Sequence, residues 1–177
     1  WLELERIDLH HLVAAVTTHA RKWATKMGLT LEVDCPADAD VFLADARRLR
    51  QVTFNLLSNA FKFTPRGGAI ILTGRIVGED VQISVQDNGP GLSPDVKATV
   101  FERFSAKSRA GARAGAGLGL ALVNRFMELH DGWVEIESAP SSANGGGGTL
   151  VRCHLPRRIQ PGDEPPHESV DRKTAYL

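Results

Sequence analysis

Three polar side chains with metal-binding and phosphate-binding chemistry are spaced for one face of a helix. Asn55, Asn59 and Lys62 occur within FNLLSNAFKFTP at intervals of four and three residues, so a helix places them side by side. Amide oxygens can ligate Mg²⁺, and an ammonium group can contact phosphate as a point charge. The three residues flank the apolar stripe of the same helix, which predicts a position at the edge of a cleft. The stripe is formed by Leu49, Val52, Leu56, Ala60 and Phe63. Taken alone, the pattern still favours ordinary solvated helix residues, which are common.

A carboxylate also continues the inward face of a predicted strand. Val81, Ile83 and Val85 alternate with polar residues, and Asp87 falls on the same face directly before the turn sequence NGPG. A carboxylate on an inward face is costly unless it finds a hydrogen-bond partner. An ordinary turn aspartate at the end of a strand explains the residue equally well.

Glycines cluster where backbone could approach a ligand. Gly115, Gly117 and Gly119 open a predicted helix, and a glycine-rich helix start offers free N–H groups to phosphate. No strand precedes them and no GK[ST] follows, so the segment fits neither a dinucleotide fingerprint nor a P-loop. A flexible linker remains the alternative. The run NGGGGT before the last predicted strand is most simply a hairpin loop.

Composition excludes several classes of protein. The 177 residues contain 21 Lys and Arg against 21 Asp and Glu, which argues against a polybasic nucleic-acid binder or a basic membrane anchor. Two cysteines are too few for a disulfide scaffold, and no apolar run reaches the roughly 20 residues that span a bilayer. The six histidines show no metal-ligand spacing with Cys or carboxylates.

Helical and strand periodicities together predict the fold class. Asp8 and Asp45 are positioned as N-caps of two long helices, ending near Met27 and Phe63. The remaining predicted elements are strands 29–33, 41–43, 69–77, 81–86, 133–138 and 149–155 and helices 93–104 and 118–130. Because strands do not alternate regularly with helices, we expect an α+β fold. The expected architecture is a two-layer α/β sandwich in which a mixed, mostly antiparallel sheet is covered on one face by helices.

Four of these segments, in this order, resemble the motifs of the catalytic ATP-binding domain of sensor histidine kinases. RLRQVTFNLLSNAFKFTP resembles the N box, DNGPGL the G1 box, VFERF the F box and GAGLGL the G2 box, with GGT as a weaker last glycine motif. This family shares the Bergerat fold with gyrase, Hsp90 and MutL. The resemblance covers about residues 3–156, and four ordered motifs are far more specific than any one of them.

The resemblance implies ATP and Mg²⁺ as ligands and a role for each matching residue. Asn59 would ligate Mg²⁺, Asn55 would support the metal or phosphates, and Lys62 would approach phosphate. Asp87 would accept a hydrogen bond from the adenine amino group. The other residues implied at the nucleotide site are Phe63, Gly89, Gly91 and Thr149 around the base, Gly115, Gly117, Leu118 and Gly119 at the phosphates, and Arg109 or Arg113 at the γ-phosphate. Residues 105–117 would form the lid over ATP, anchored by Phe101 and Phe104.

Asn55 favours one reaction over another within this superfamily. The ATPase branch carries Glu at the matching point to activate water, whereas an amide has no useful basicity. We therefore expect phosphoryl transfer from ATP to a histidine, with Asn55 and Lys62 as catalytic residues. The alternatives are a degenerate kinase domain that serves as a signalling scaffold, or an ATPase of the gyrase or Hsp90 type.

The resemblance further implies the domain organisation and the partners. Residues 1–7 are expected to be a linker from a preceding dimerisation helix, 8–156 the ATP-binding domain, and 157–177 a disordered tail. His10 and His11 lie in the linker match and are poor phosphoacceptors. The expected partners are the kinase's own dimerisation and phosphoacceptor domain and a response-regulator receiver domain, without nucleic acid or direct membrane contact. We expect a cytoplasmic, monomeric piece of a homodimeric bacterial kinase.

Overall fold

The computed structural model describes residues 1–38, 41–96, 98–99, 117–139 and 147–159. In chain order the elements are β1 (Glu5–Asp8), α1 (Leu9–Met27), β2 (Thr30–Asp34), β3 (Val41–Ala44), α2 (Ala46–Phe63), β4 (Ala69–Val77), β5 (Asp80–Asp87), α3 (Gly117–Leu129), β6 (Trp133–Ala139) and β7 (Gly148–Pro156). The predicted helix 93–104 is represented by residues 94–96 and 98–99, which are helical. Ser93 directly precedes the helical residues and is not helical itself, and residues 97 and 100–104 lie outside the described ranges.

Both long helices begin at the predicted aspartate caps. The Asp8 carboxylate accepts from the His11 N–H at 2.9 Å, and the Asp45 carboxylate accepts from the Arg48 N–H at 3.0 Å. Each bond satisfies a backbone donor that the first turn of a helix leaves without a partner. Helix α1 ends at Gly28, whose φ of 68° is the left-handed conformation that glycine adopts without strain.

Five strands form the main sheet in the order β2-β4-β5-β7-β6. Only the β2–β4 pair is parallel, and the other three pairs are antiparallel. The predicted mixed, mostly antiparallel sheet is therefore confirmed. The register aligns Asp87 at the end of β5 with Thr149 at the start of β7, so the turn residues after β5 and the glycines before β7 lie at the same end of the sheet.

The core lies between the three helices and one face of the sheet. Alternate residues of β5, namely Val81, Ile83 and Val85, are buried, as the alternation predicts. The opposite face carries polar side chains and cross-strand ion pairs. Arg75 on β4 contacts Asp34 on β2 at 2.5 Å, and Arg152 on β7 contacts Glu135 on β6 at 2.8 Å.

Both chain ends carry structure that the sequence prediction does not include. Residues 1–7 are expected only as a linker before the Asp8 cap, and Glu5–Asp8 forms β1, which pairs antiparallel with β3, with Ile7 only 4% exposed. Four residues carry too little periodicity to identify a strand, and the pairing with β3 decides their conformation. Past β7, the Arg157 N–H donates to the Glu79 carbonyl, and the Arg158 carbonyl accepts from the Leu43 N–H. Residues 160–177 of the predicted tail lie outside the described ranges.

Candidate nucleotide-binding site

A cleft opens between α2, α3 and the end of the sheet where β5 stops and β7 begins. It contains about 670 Å³ of empty space, part of it open to solvent. Its lining comprises Leu56, Asn59, Ala60 and Phe63 from α2, Val85 and Asp87 from β5, Pro90, Gly91 and Leu92 from the following loop, Leu120 from α3, Ile136 from β6, and Thr149 and Val151 from β7. The walls are mostly apolar with few polar groups, which is the usual character of a small-molecule site.

Asp87 is the carboxylate in this cleft. One of its oxygens accepts from the Gly89 N–H at 2.9 Å. Burial raises the pKa of Asp87 above its ordinary value, and hydrogen bonds from the backbone of Gly89 and Thr149 oppose the rise only in part. A half-buried carboxylate that is incompletely satisfied by its own protein can accept a further hydrogen bond from a ligand.

Two glycines let the backbone pass closely around Asp87. A Cβ added at Gly89 would lie 3.0 Å from the Asp87 Oδ1 atom and 3.2 Å from the Phe63 carbonyl oxygen. At Gly148, where φ is +138°, an added Cβ would lie 1.9 Å from the Asp87 carbonyl oxygen. The sequence indicates only a hairpin loop and a weak glycine motif for NGGGGT. The structure shows why a side chain is excluded at Gly148, the last glycine of this run.

The two asparagines of α2 face the start of α3. A Cβ added at Gly119 would lie 3.7 Å from both amide atoms of Asn59 and 3.9 Å from the Asn55 Cβ. The Nδ2 atoms of Asn55 and Asn59 are buried and have no hydrogen-bond partner. A buried donor without a partner costs free energy, so these amides fit a ligand that supplies acceptor oxygens at this point.

Phe63 and Lys62 end α2, and only Phe63 of the two lines the cleft. The helical pattern puts Phe63 in the apolar stripe, but its side chain is 47% exposed, and Phe61 is the fully buried phenylalanine. Its cleft position agrees with the implied contact to a base. Lys62 is exposed and is absent from the cleft lining, and its Nζ lies 5.9 Å from the centre of the Phe63 ring.

Ser138 on β6 is a site residue that sequence reasoning missed. Its hydroxyl oxygen accepts from the Leu92 N–H at 2.7 Å and lies 3.5 Å from the Thr149 hydroxyl oxygen. It thereby ties the loop after β5, which supplies Pro90, Gly91 and Leu92, to the strands beside it. A single serine on a predicted strand carries no signal of such a contact.

Several implied site residues cannot be placed. Arg109, Arg113 and Gly115 lie outside the described ranges, as do Phe101 and Phe104. Gly117 and Leu118 open α3. Among the described residues, no group of three or more His, Cys, Asp or Glu could hold a metal ion. In the same part of the chain, no helix has the length and apolar character needed to cross a bilayer.

Comparisons with known proteins agree with this geometry. Residues 44–159 match the family model described as histidine kinase-, DNA gyrase B- and HSP90-like ATPase. The sensor protein DivL of Caulobacter vibrioides is 40% identical over 161 residues, which cover 91% of this chain and 20% of that protein. The adaptive-response sensory kinase SasA of a Synechococcus species is 36% identical, over 77% of this chain and 36% of its own length.

Solved structures show the same fold. Full-length ShkA in complex with AMPPNP superposes with a TM-score of 0.74 at 30% identity, over 92% of this chain and 33% of that chain. The catalytic domain of the histidine kinase ThkA superposes with a TM-score of 0.72 at 23% identity, over 88% of this chain and 97% of its own. The chain thus spans about a fifth to a third of its larger relatives. It belongs to the family of histidine kinase-, DNA gyrase B- and HSP90-like ATPases and is homologous to the catalytic region of sensor histidine kinases.

Proposed function

We propose that this chain binds ATP with Mg²⁺ and is the catalytic domain of a two-component sensor histidine kinase. In the whole protein it would transfer the γ-phosphate of ATP to a histidine on a dimerisation domain. The observation that carries the proposal is the pairing of two unlike binding features in one cleft. Asp87 is an acceptor with capacity left at one side, and the Asn59 amide is an unsatisfied donor at the other, with the equally unsatisfied Asn55 amide one turn away on the same helix.

This arrangement matches the two ends of a purine nucleotide. An exocyclic amino group can donate to Asp87 while Phe63 packs beside the base and Thr149 and Gly91 bound the pocket. The α2 amides and the start of α3 then face the phosphates, whose oxygens supply the missing acceptors. The base thus lies against the sheet and the phosphates between the two helices.

The donor set also fits a magnesium ion that is carried mainly by its nucleotide. Mg²⁺ in such sites is held by one or two protein oxygens, water and substrate phosphates, and the Asn59 amide oxygen is the group available for it. When bound, the ion would neutralise charge on the phosphates. Asn59 would orient it, and Asn55 would support the metal or the phosphates.

Transfer to a histidine is favoured over hydrolysis by the chemistry of Asn55. An amide cannot take a proton from water, so the chain offers no general base at this position. What it can supply is positioning and electrostatic stabilisation. The relatives named as sensory or sensor histidine kinases support the same choice over a gyrase-type or Hsp90-type ATPase and over a scaffold without activity.

The proposal includes the partners and the setting of the whole protein. They are the kinase's own dimerisation and phosphoacceptor domain, in a homodimer, and a response-regulator receiver domain. The kinase would act in the cytoplasm. Arg109 or Arg113 would contact the γ-phosphate, and Lys62 would approach a phosphate once the nucleotide is bound.

Calorimetric titration with Mg²⁺ and AMPPNP tests the binding step. The wild-type chain should bind, and Asn59→Ala should bind at least tenfold more weakly. Gln51→Ala, an exposed amide on the same helix but outside the cleft, should bind like the wild type. Equal affinity of all three proteins would refute the site.

The transfer step is tested on the full-length parent protein with γ-labelled ATP. A phosphohistidine gives label that is lost in acid and kept in alkali. Steady release of inorganic phosphate without protein label would favour an ATPase. Nucleotide binding with neither label nor release would favour a scaffold.

A further inference from the structure

A buried histidine joins the two helices of the cleft at the end remote from the site. His130 directly follows α3 and is 3% exposed. Its Nε2 atom lies 3.1 Å from the backbone nitrogen of Asp45, and its Nδ1 atom lies 2.7 Å from the Phe126 carbonyl oxygen. Because a backbone N–H can only donate, Nε2 must be an unprotonated acceptor. Nδ1 therefore carries the proton and donates a hydrogen bond to the Phe126 carbonyl, so the ring is neutral.

Asp45, the partner of the His130 Nε2 atom, lies at the start of α2. Asp45 is the N-cap of that helix, and its carboxylate also accepts from the Glu3 N–H at 3.1 Å. One turn along, the Arg48 guanidinium lies 4.7 Å from the centre of the Phe126 ring of α3. We call these four residues, Asp45, Arg48, Phe126 and His130, the helix clasp. It fixes the end of α3 on the beginning of α2.

The opposite ends of the same two helices form the phosphate side of the cleft. Asn55 and Asn59 lie in the second half of α2, and Gly119 lies in the first turn of α3, where an added Cβ would be in van der Waals range of both. Helix α3 has 13 residues, which corresponds to a length of about 20 Å. A tilt of about 10° at the clasp would move its start by about 3 Å, as much as a whole hydrogen-bond length.

We propose that His130 is a positioning residue for the phosphates of the nucleotide. Its neutral ring holds the angle of α3 on α2, so that the glycine start of α3 stays against the Asn55 and Asn59 amides. This inference rests on the proposed nucleotide site. The base pocket around Asp87 and Phe63 is built mainly from α2, β5 and β7, so loss of the clasp should weaken phosphate binding and spare the base.

Titrations with adenosine and with Mg²⁺–AMPPNP separate these two contributions. His130→Phe keeps most of the ring volume and removes the acceptor for the Asp45 N–H. We expect its dissociation constant for AMPPNP to rise about tenfold or more, while that for adenosine changes less than twofold. His130→Gln can offer an amide oxygen to the same N–H and should restore most of the AMPPNP affinity.

His154→Phe is the matched control. His154 is also buried, at 7% exposure. Its ring stacks on that of Trp133 at a centroid distance of 4.6 Å, and neither residue belongs to the helix clasp. It should lower the melting temperature without changing the ratio of the two affinities. If His130→Phe weakens both ligands equally, or neither, the positioning role is wrong. If the wild type binds neither ligand, the proposed function fails instead. Should His130→Phe not fold, Arg48→Ala removes the other side-chain contact of the helix clasp, the one to the Phe126 ring. It should weaken AMPPNP binding more than adenosine binding, and an unchanged ratio of the two dissociation constants would overturn the proposal.

Discussion

Replacing Asp87 by Asn tests the chemistry of the cleft with the smallest possible change in shape. The carboxylate accepts from the Gly89 N–H at 2.9 Å and has acceptor capacity left for a ligand. An asparagine can keep its oxygen on Gly89, but it then turns an N–H₂ group toward the donor of the ligand. The variant should therefore lose the contact with an exocyclic amino group and gain an unfavourable donor–donor contact.

The expected loss is large for binding and absent for folding. A hydrogen bond to a charged acceptor contributes about 1.5–3 kcal/mol, which corresponds to about 10- to 100-fold in the dissociation constant. Burial raises the pKa of Asp87 in the folded protein, so ionisation opposes folding at neutral pH. The stabilisation relative to the variant is present below the ordinary pKa of an aspartate and is lost as the pH rises through the raised value. At pH 7 the variant should be as stable as the wild type or more stable.

The assay combines calorimetric titration with AMPPNP and thermal unfolding at pH 7. Asp80→Asn, the same substitution at the other end of β5, is the matched control and should leave the affinity for AMPPNP unchanged. An Asp87→Asn variant that binds as tightly as the wild type would refute the contact with the base. A variant that binds weakly but also melts many degrees lower would show that Asp87 supports the fold, and not the ligand.

Three further predictions follow from single contacts. Asp45→Ala should destabilise the protein by about 1 kcal/mol through loss of the helix cap. Burial raises the pKa of Asp45, but hydrogen bonds from the Arg48 and Glu3 N–H groups outweigh this effect and hold the pKa below its ordinary value. The difference in unfolding free energy between wild type and variant, measured in urea, should therefore shrink as the pH falls through that lowered pKa. A difference that stays constant with pH would contradict this. Ser138→Ala removes the acceptor of the Leu92 N–H and should weaken AMPPNP binding several-fold. An unchanged affinity for AMPPNP would show that the loop after β5 keeps its conformation without this hydrogen bond. Burial raises the pKa of the Cys153 thiol to about 12, so iodoacetamide at pH 8 should leave Cys153 unmodified in the folded protein and label it in urea; rapid labelling without urea would contradict its burial.

The long elements were predictable because their signals are local. The Asp8 and Asp45 caps, the apolar stripes of α1 and α2, and the alternation along β5 each lie within a few residues of one another. That Asn59 and Asp87 lie on one cleft follows from a different signal, namely four motifs that occur together in order.

What the sequence did not reveal depends on residues far apart in the chain. Strand β1 exists because β3 pairs with it across more than thirty residues. The Ser138 contact spans 46 residues and the Asp45–His130 contact spans 85. Phe63 was misassigned to the core because helical periodicity cannot tell which of two nearby phenylalanines, Phe61 or Phe63, has a neighbouring element to pack against.

The ion pairs on the face of the sheet opposite the helices bear on self-association. β2 and β6 are the outermost strands of the sheet, and a carboxylate of each pairs with an arginine of its inner neighbour, Asp34 with Arg75 and Glu135 with Arg152. A slip of either edge strand by one residue would turn its charged side chain toward the core. Each pair therefore opposes such a shift, and the same charges discourage a foreign strand from adding to either edge. High salt should weaken this protection first at these two strands.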